Sequence, residues 1–301
     1  MKREIIVLIA AMLIVLPLAS AGMLDWLGIT GKTATQQENV NITVGNTGPN
    51  ITSVSAISNV DLNKYGISDG KKTVTFTFVG YDHDGKADLD VSTAFARFTL
   101  GVESERNVSC TLVGDIDAKS RNYTCSIDMY YFDGAGSWTI NASIKDFSSE
   151  QAINDTTSFT VTSLDGLDIS PADLTFPAVN PGAADQSATN DPTVLNNTGN
   201  QNYNKIELNA TKLVGELYTD FKIGADLFSA KISDPACSGG NAMTNSTYVT
   251  ITDAALSKGN LTAGNGKEEI FYCMTSVPAG LVKQSYSTFA EGAWSIQVSV
   301  V

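Results

Sequence analysis

The sequence predicts an all-β protein, with two Ig-like β-sandwich domains in tandem after an N-terminal signal peptide. Short segments that alternate apolar and polar residues recur along the chain with turn residues between them, among them TVTFTFVGY, SFTVTSL and WSIQVSV. Beyond the first 21 residues, no segment shows the strong 3.6-residue apolar spacing of an amphipathic helix. Several short strands separated in this way are typical of an antiparallel sandwich.

The first 21 residues have the pattern of a secretory signal peptide. Lys2 and Arg3 form a basic start, residues 5–18 form an apolar run, and Ala-Ser-Ala at 19–21 offers a cleavage site. The apolar run is short for a bilayer span, which takes roughly 20 residues. We therefore expect a secreted, extracellular or cell-surface protein, attached to a membrane only where this segment stays uncleaved. Residues 22–38 are expected to form a linker.

An internal repeat predicts two domains. GSWTINASI (136–144) aligns with GAWSIQVSV (292–300), and each copy has a cysteine upstream. We expect one Ig-like domain over residues 39–163 and another over 164–301, with the repeated tryptophans as core anchors. A further strand-like segment follows the first copy, whereas Val301 follows the second. The second domain closes in another way, is truncated, or takes a strand from elsewhere, for which VNITV (40–44) is a candidate donor.

The four cysteines predict two disulfides, because an even number of cysteines in an exported chain is typical of a disulfide framework. Proximity in the sequence favours Cys110–Cys125 and Cys237–Cys273 over the two other possible pairings. The midpoint between the first two cysteines falls in the polar run GDIDAKSR. This predicts a β-hairpin in which the two cysteines lie opposite each other.

Acceptor triplets for N-glycosylation are frequent. The composition gives roughly four N-x-S/T triplets by chance, and Asn- and Thr-rich β proteins form them freely. Alternation nevertheless places several of these asparagines on the polar face of their strand, as with Asn141 between Ile140 and Ala142. We expect glycosylation at the ten acceptors, which are Asn41, Asn50, Asn107, Asn122, Asn141, Asn154, Asn196, Asn209, Asn245 and Asn260.

The charge distribution predicts no nucleic-acid partner but suggests one metal site. The net charge is −13, and lysine and arginine are too few and scattered to form a phosphate-binding patch. The one dense acidic cluster is YDHDGKADLD (81–90). Its oxygen ligands suit Ca²⁺, the only cofactor considered, and the candidate ligands are Asp82, Asp84, Asp88 and Asp90. The alternative is a plain hairpin turn, for which Asp-Gly is a strong signal.

No catalytic residues are predicted, and the protein is expected not to be an enzyme. His83 is the sole histidine and is expected to lie exposed in the Asp-Gly turn. The sequence contains no HExxH, no G-x-S-x-G and no glycine-rich turn between a strand and a helix. An extracellular hydrolase with paired carboxylates is the third and least favoured possibility, because only the spatial separation of such a pair is diagnostic.

Several strings resemble exported archaeal surface proteins built from Ig-like modules. They include NITVGNTGPNITSVSA, YDHDGKADL and YTCSIDMYYFDGAGSWTINASIKD in the first half, and LTFPAVNPGA, LNNTGNQNYNKIELNATKL and FYCMTSVPAGL in the second. The resemblance covers most of residues 22–301. It implies a fold and a location at the cell surface, and it transfers no functional residue.

We therefore expect a non-catalytic secreted or cell-surface glycoprotein with a structural or adhesive role in the cell envelope. Its expected partners are other envelope or surface proteins, including copies of itself joined by strand addition. The alternative is an extracellular binding module that recognises glycans or a surface protein of a partner cell. Its candidate platform is the aromatic run Tyr130, Tyr131 and Phe132. The alternative for this run is that Tyr131 alone is exposed and has no role.

Overall fold

The computed structural model describes residues 36–63, 70–102 and 104–300. The predicted signal peptide and residues 22–35 of the predicted linker lie outside the described residues. Across the described ranges the protein is all-β, and all the named strands pair antiparallel. In these ranges, no helix is long and apolar enough to cross a membrane.

The arm, defined here as residues 36–45, forms no strand. Val40, Ile42 and Val44 are 77%, 83% and 85% exposed. The arm belongs to a unit separate from residues 46–301, which form one compact unit. It therefore differs from the strand that its alternation predicted. Alternation decides only which way side chains point, whereas a strand also needs a neighbour that pairs its backbone groups.

The described part of the first half forms two four-stranded antiparallel sheets. One sheet has the order β1-β2-β6-β5 and the other β4-β3-β7-β8. The strands are β1 (Asn50–Val54), β2 (Lys71–Tyr81), β3 (Leu89–Leu100), β4 (Ser104–Ser109), β5 (Thr111–Asp115), β6 (Ser120–Tyr130), β7 (Gly136–Asp146) and β8 (Gln151–Val161).

The first hydrophobic core lies between these two sheets and follows the two-residue period of the strands. In β2, Val74, Phe76 and Phe78 are buried. In β7, four alternate residues are fully buried, namely Trp138, Ile140, Ala142 and Ile144. The indole Nε1 of Trp138 donates a 2.9 Å hydrogen bond to the carbonyl of Gly134, so its one polar atom is satisfied inside the core.

The second half has shorter strands. Its larger sheet has the order β16-β15-β18-β11-β9, with β10 also paired to β18, and two three-stranded sheets have the orders β17-β12-β20 and β14-β13-β19. The strands are β9 (Leu167–Ser170), β10 (Ala184–Ser187), β11 (Thr193–Asn197), β12 (Lys205–Asn209), β13 (Leu213–Gly215), β14 (Lys222–Ile223), β15 (Phe228–Lys231), β16 (Asn241–Ala242), β17 (Tyr248–Thr250), β18 (Lys267–Ser276), β19 (Tyr286–Ser287) and β20 (Ser295–Ser299). Short 3-10 helices lie at Ala225–Leu227 and Leu261–Ala263.

A second hydrophobic core fills this half and shares no residue with the first. Leu195 and Ile270 contribute to it from the larger sheet, and Ile206 and Leu208 contribute from β12. Trp294, which precedes β20, packs against this core and donates a 2.8 Å hydrogen bond to the carbonyl of Thr211. In both copies of the repeat, the tryptophan ring thus packs against a hydrophobic core and its indole N–H donates to a backbone carbonyl.

The two halves share the order of their central strands, although the second half also contains β10, β16 and the separate sheet β14-β13-β19. In the first half β2 and β6 are neighbours flanked by β1 and β5, and in the second β11 and β18 are neighbours flanked by β9 and β15. The other sheets run β4-β3-β7-β8 and β17-β12-β20. The two copies of the sequence repeat are β7 and β20, so the repeat extends to the strand order. The position of β8 has no counterpart beside β20 among the described strands.

The passage between the two halves, residues 162–166, is held by Asn200. Its backbone amide donates to the carbonyl of Leu164 at 2.9 Å, and its Oδ1 accepts from the amide of Leu164 at 2.8 Å. Its Nδ2 also donates to the carbonyl of Thr162 at 2.9 Å. The side chain of Asn200 is buried, whereas its partners Thr162 and Leu164 are half-buried. The predicted domain boundary at 163/164 falls within this passage and stays a prediction.

Candidate functional sites

The acidic loop connects β2 to β3 and folds as a tight turn. Asp82 is the first residue of the loop, and its amide donates a 2.9 Å hydrogen bond to the carbonyl of Lys119. The amide of Gly85 donates a 3.3 Å hydrogen bond to the carbonyl of Asp82. Gly85 has a φ of 121°, a backbone conformation that favours glycine. The amide of Lys86 bonds to the carbonyl of Ala118 at 3.0 Å. These bonds fix the loop against the turn of the neighbouring hairpin.

Three carboxylates meet at this loop. Asp82, Asp88 and Asp146 each offer an oxygen, and these oxygens all lie within 4.8 Å of one another. The side chain of Asp82 is fully buried and that of Asp146 is 2% exposed. Asp146 accepts from the amide of Glu150 and from Nδ2 of Asn46, both at 2.8 Å.

The two oxygens of Asp82 have unequal surroundings. Oδ1 accepts a 2.8 Å hydrogen bond from the amide of Asp84, whereas Oδ2 is buried and has no hydrogen-bond partner among the described residues. Burial raises the pKa of Asp82 above its ordinary value, and the nearby negative charges of Asp88, Asp84 and Asp146 raise that pKa further.

The structure brings together two of the four predicted calcium ligands, Asp82 and Asp88, and adds one residue that the sequence analysis missed. Asp84 accepts a 2.6 Å hydrogen bond from the amide of Thr47 and lies outside the three-carboxylate group. Asp90 also lies outside it, and its Oδ1 accepts from the amide and hydroxyl of Ser92 at 3.0 and 2.6 Å. Asp146 comes from the end of β7, where it continues the inward-facing series of that strand.

Each half contains one disulfide, and the pairings are the two that sequence proximity favoured. Cys110 is bonded to Cys125 and Cys237 to Cys273, with Cα–Cα distances of 4.4 and 5.1 Å. The first bond closes the hairpin of β5 and β6. Thr111 pairs with Thr124, which places Cys110, directly before β5, opposite Cys125.

None of the ten predicted glycan acceptors is buried, and their glycosylation remains a prediction. Four of the asparagines are exposed, namely Asn41, Asn50, Asn107 and Asn245, and the other six are half-buried. Asn260 already has a structural role, since its Oδ1 accepts from the amides of Thr262 and Ala263 at the start of a 3-10 helix. A glycan on Nδ2 would leave this oxygen free to do so.

The aromatic run is not the exposed platform that recognition of a glycan would need. Tyr131 is only 6% exposed, because β6 ends at Tyr130 and Tyr131 turns inward in the loop that follows. Its hydroxyl donates to the carbonyl of Gly259 at 3.0 Å and accepts from the amide of Leu261 at 3.1 Å, which joins the two halves. The prediction that Tyr131 is exposed is therefore wrong.

The rings on either side of Tyr131 interact with a cation of the protein itself. Tyr130 and Phe132 stack with centroids 5.4 Å apart, and the guanidinium of Arg106 lies 5.0 and 5.8 Å from these two centroids. Arg106 also pairs with both carboxylate oxygens of the buried Asp133. This run thus offers no free row of aromatic faces to a sugar.

The outer edge of β20 is the second candidate site. No strand of the described residues pairs with it, and a groove of about 460 Å³ opens beside it. Apolar side chains of Leu167, Val298 and Val300 line the groove together with the ring of Tyr203. The groove thus lies between the free edge of β20 and the beginning of β9.

No protein-family model matches the sequence, and no curated protein is significantly similar to it.

Proposed function

We propose that this protein is a non-catalytic, secreted structural component of the cell envelope, and that it assembles with copies of itself by strand addition. The observation that carries the proposal is the outer edge of β20, which no described strand pairs, at the position that β8 fills in the first half. The signal-peptide pattern and a disulfide in each half support an extracellular location, since such bonds persist in oxidising compartments.

The edge of β20 is suited to pairing. An edge strand presents unpaired N–H and C=O groups, and natural proteins usually protect such an edge with lysine, proline, inward-pointing charges or a covering segment. The sequence of β20 is Ser-Ile-Gln-Val-Ser, which contains no charged residue and no proline. A second chain can therefore add a strand there without burying a charge on β20.

The proposed donor is the arm of a second copy. Val40, Ile42 and Val44 alternate, so a strand over Asn39–Val44 would place all three on one face. Next to β20, that face would cover apolar side chains of the groove, including Leu167 and Val298. Asn41 would take the opposite face, where its predicted glycan would meet solvent.

Assembly by strand addition needs favourable free energy from both the side chains and the backbone of the arm. Burying one valine or isoleucine side chain contributes about 1.5–3 kcal/mol, and each new backbone hydrogen bond contributes about 0.5–1.5 kcal/mol. Association costs about 4–15 kcal/mol in lost freedom of motion. Three buried side chains together contribute about 4.5–9 kcal/mol, which offsets only the lower part of this cost. Loss of the apolar face should therefore abolish assembly.

The test compares three purified, unglycosylated chains by light scattering over a range of concentrations. The first is the wild type, the second carries Val40→Ser, Ile42→Ser and Val44→Ser, and the third carries the matched changes Asn39→Ser, Asn41→Ser and Thr43→Ser. We expect the wild type and the third chain to form open-ended oligomers and the second to stay monomeric. A monomeric wild type, or assembly of all three chains alike, would contradict the proposal.

A peptide experiment tests the acceptor edge directly. A fluorescently labelled peptide of residues 38–46 should bind the monomeric arm variant, whose β20 edge is unchanged, and fluorescence anisotropy measures this binding. The same peptide with serine at positions 40, 42 and 44 is the control and should not bind. Equal binding of the two peptides would show that the apolar face does not direct the pairing.

A further inference from the structure

We propose that Asp82, Asp88 and Asp146 form a Ca²⁺ site at the junction of β2, the acidic loop and β7. The proposal is independent of strand addition, since it depends on side chains of the first half alone. It revises the ligand set that the sequence predicts, by replacing Asp84 and Asp90 with Asp146.

The charge balance of the group is the first argument. Two of its three carboxylates are almost fully buried, and none of the three forms an ion pair with a lysine or arginine in the described part of the chain. The buried carboxylate of Asp133 provides the contrast, because Arg106 and the amide of Tyr130 satisfy both of its oxygens. Buried charges are normally paired or bound to a metal, and of Asp82, Asp133 and Asp146 only Asp133 has a cationic partner among the described residues.

The unpaired oxygen of Asp82 is the second argument. Its Oδ2 is buried without a hydrogen-bond donor among the described residues, although Oδ1 of the same carboxylate has one. An unsatisfied buried acceptor is uncommon, because it loses water and gains nothing in return. A cation held between Asp82, Asp88 and Asp146 would supply the missing partner.

The spacing and the type of the ligands select the ion. Ca²⁺ holds its oxygen ligands at about 2.3–2.6 Å, so two oxygens on one ion lie at most about 4.6–5.2 Å apart. The three oxygens lie within 4.8 Å of one another and meet this condition. All three are hard carboxylate oxygens, with no histidine or cysteine among them, which favours Ca²⁺ over zinc. Waters and backbone carbonyls would complete the shell.

Occupancy of the site would also affect the start of the folded unit. Asn46 donates to Asp146 and the amide of Thr47 donates to Asp84, so both residues that directly follow the arm in sequence bond to carboxylates of this region. An ion on the three carboxylates would fix Asn46 through Asp146. It would fix Thr47 indirectly, because the amide of Asp84 donates to Asp82 and the carboxylate of Asp84 accepts from Thr47. We therefore expect slower amide exchange at Thr47 when calcium is bound.

The test titrates the EDTA-treated full chain with CaCl₂ alone, by calorimetry and by thermal unfolding, with MgCl₂ as the comparator. Extracellular calcium modules bind with a Kd of about 0.1–1 mM. We expect one ion per chain and a rise in Tm of roughly 3–6 °C at about tenfold Kd. No heat and no change in Tm at about 10 mM CaCl₂ would overturn the proposal, as would an equal response to MgCl₂.

Three variants make the assignment specific. Asp88→Asn should weaken calcium binding at least about tenfold, whereas the control Asp90→Asn, on a residue that bonds to Ser92, should bind like the wild type. Asp82→Asn removes the buried unpaired charge, so it should raise the Tm without calcium and abolish the response to calcium. An equal loss of affinity in Asp88→Asn and Asp90→Asn would contradict the proposed ligands.

Discussion

The carboxyl group of Asp191 lies just before β11, where it accepts a 3.0 Å hydrogen bond from the amide of Tyr272 through Oδ2. Its Oδ1 is buried and has no partner among the described residues. Burial is the main cause that raises the pKa of Asp191 to about 6, and the negative charge of Asp234 adds to the rise, while the hydrogen bond from Tyr272 opposes it.

This carboxyl group makes the stability of the fold depend on pH. A group whose pKa is raised by folding stabilises the fold fully below its unfolded pKa, here 3.8, and this contribution is lost as the pH rises through about 6. Because asparagine cannot ionise, Asp191→Asn should exceed the wild type's free energy of unfolding only slightly near pH 4 and clearly at pH 7. After allowance for solvent screening we expect a gain of about 1–2 kcal/mol, measured by urea denaturation.

The control for this prediction is Asp185→Asn, the same chemical change at an exposed position of the second half. Asp185 has a φ of 53°, which asparagine tolerates as well as aspartate does. We expect Asp185→Asn to follow the wild type at both pH values. A gain at Asp191 that is equally large at pH 4 and pH 7 would contradict the link to ionisation.

Single residues of the candidate metal site were predictable where the sequence places them close together. Asp82 and Asp88 lie in one loop, whose density of carboxylates pointed to calcium. Asp146 lies 58 or more positions away, and its only signal is that an acidic residue continues the inward-facing series Ile140, Ala142 and Ile144. An acidic residue at an inward position of a strand is therefore a useful indication of a buried ligand.

At the scale of elements, the two disulfides enclose segments of different length. The cysteines are 15 positions apart in the first bond and 36 in the second. By the chain-entropy relation, these bonds stabilise the fold by about 3 and 4 kcal/mol respectively. Cys110→Ala with Cys125→Ala, and Cys237→Ala with Cys273→Ala, should lower the free energy of unfolding by these amounts, measured by denaturant titration.

The wild type treated with a reducing agent is the control for both double variants. Its loss of stability should approach the sum of the two losses, because the two bonds lie in different halves of the fold and share no residue. If the shorter bond contributed clearly more than the longer one, the chain-entropy account of this protein would be wrong.

A strand was predictable from the sequence where its own segment carries a clear pattern, such as alternation or a central turn between two cysteines. Alternation identified β7, whose inward residues are Trp138, Ile140, Ala142 and Ile144. The midpoint between Cys110 and Cys125 identified the turn of the β5–β6 hairpin, which spans residues 116–119. The same alternation in the arm gave no strand, since strand pairing is a property of two segments and the sequence shows one at a time.

At the scale of the whole molecule, the contact that Tyr131 makes between the two halves could not be predicted from the sequence. Its partners Gly259 and Leu261 lie 128 and 130 positions away and carry no pattern that points to it. The all-β class was predictable and is confirmed. The division into two Ig-like domains stays a prediction, although each half has its own hydrophobic core.

Tyr131→Phe should loosen this contact and leave both cores intact. The change removes the hydroxyl that accepts from the amide of Leu261, and the loss of one such bond costs about 1 kcal/mol. We expect amide exchange at Leu261 to become about fivefold faster, with little change at β7 or β18, measured by hydrogen–deuterium exchange.

Tyr130→Phe is the matched control, because it removes the same group from the neighbouring residue, whose hydroxyl has no bond to a described residue. Its exchange at Leu261 should equal that of the wild type. Unchanged exchange in both variants would show that the hydroxyl of Tyr131 does not hold the halves together.

The bonds of Asn200 to Thr162 and Leu164 have a mechanical consequence. A simple linker between two folded bodies extends under small forces, because only its entropy resists. Here the buried Asn200 forms three hydrogen bonds with Thr162 and Leu164, which lie in the passage between the halves. These bonds would have to break before residues 162–166 could extend. In an assembly pulled from its ends, tension would therefore pass from one half to the other with little slack at this passage.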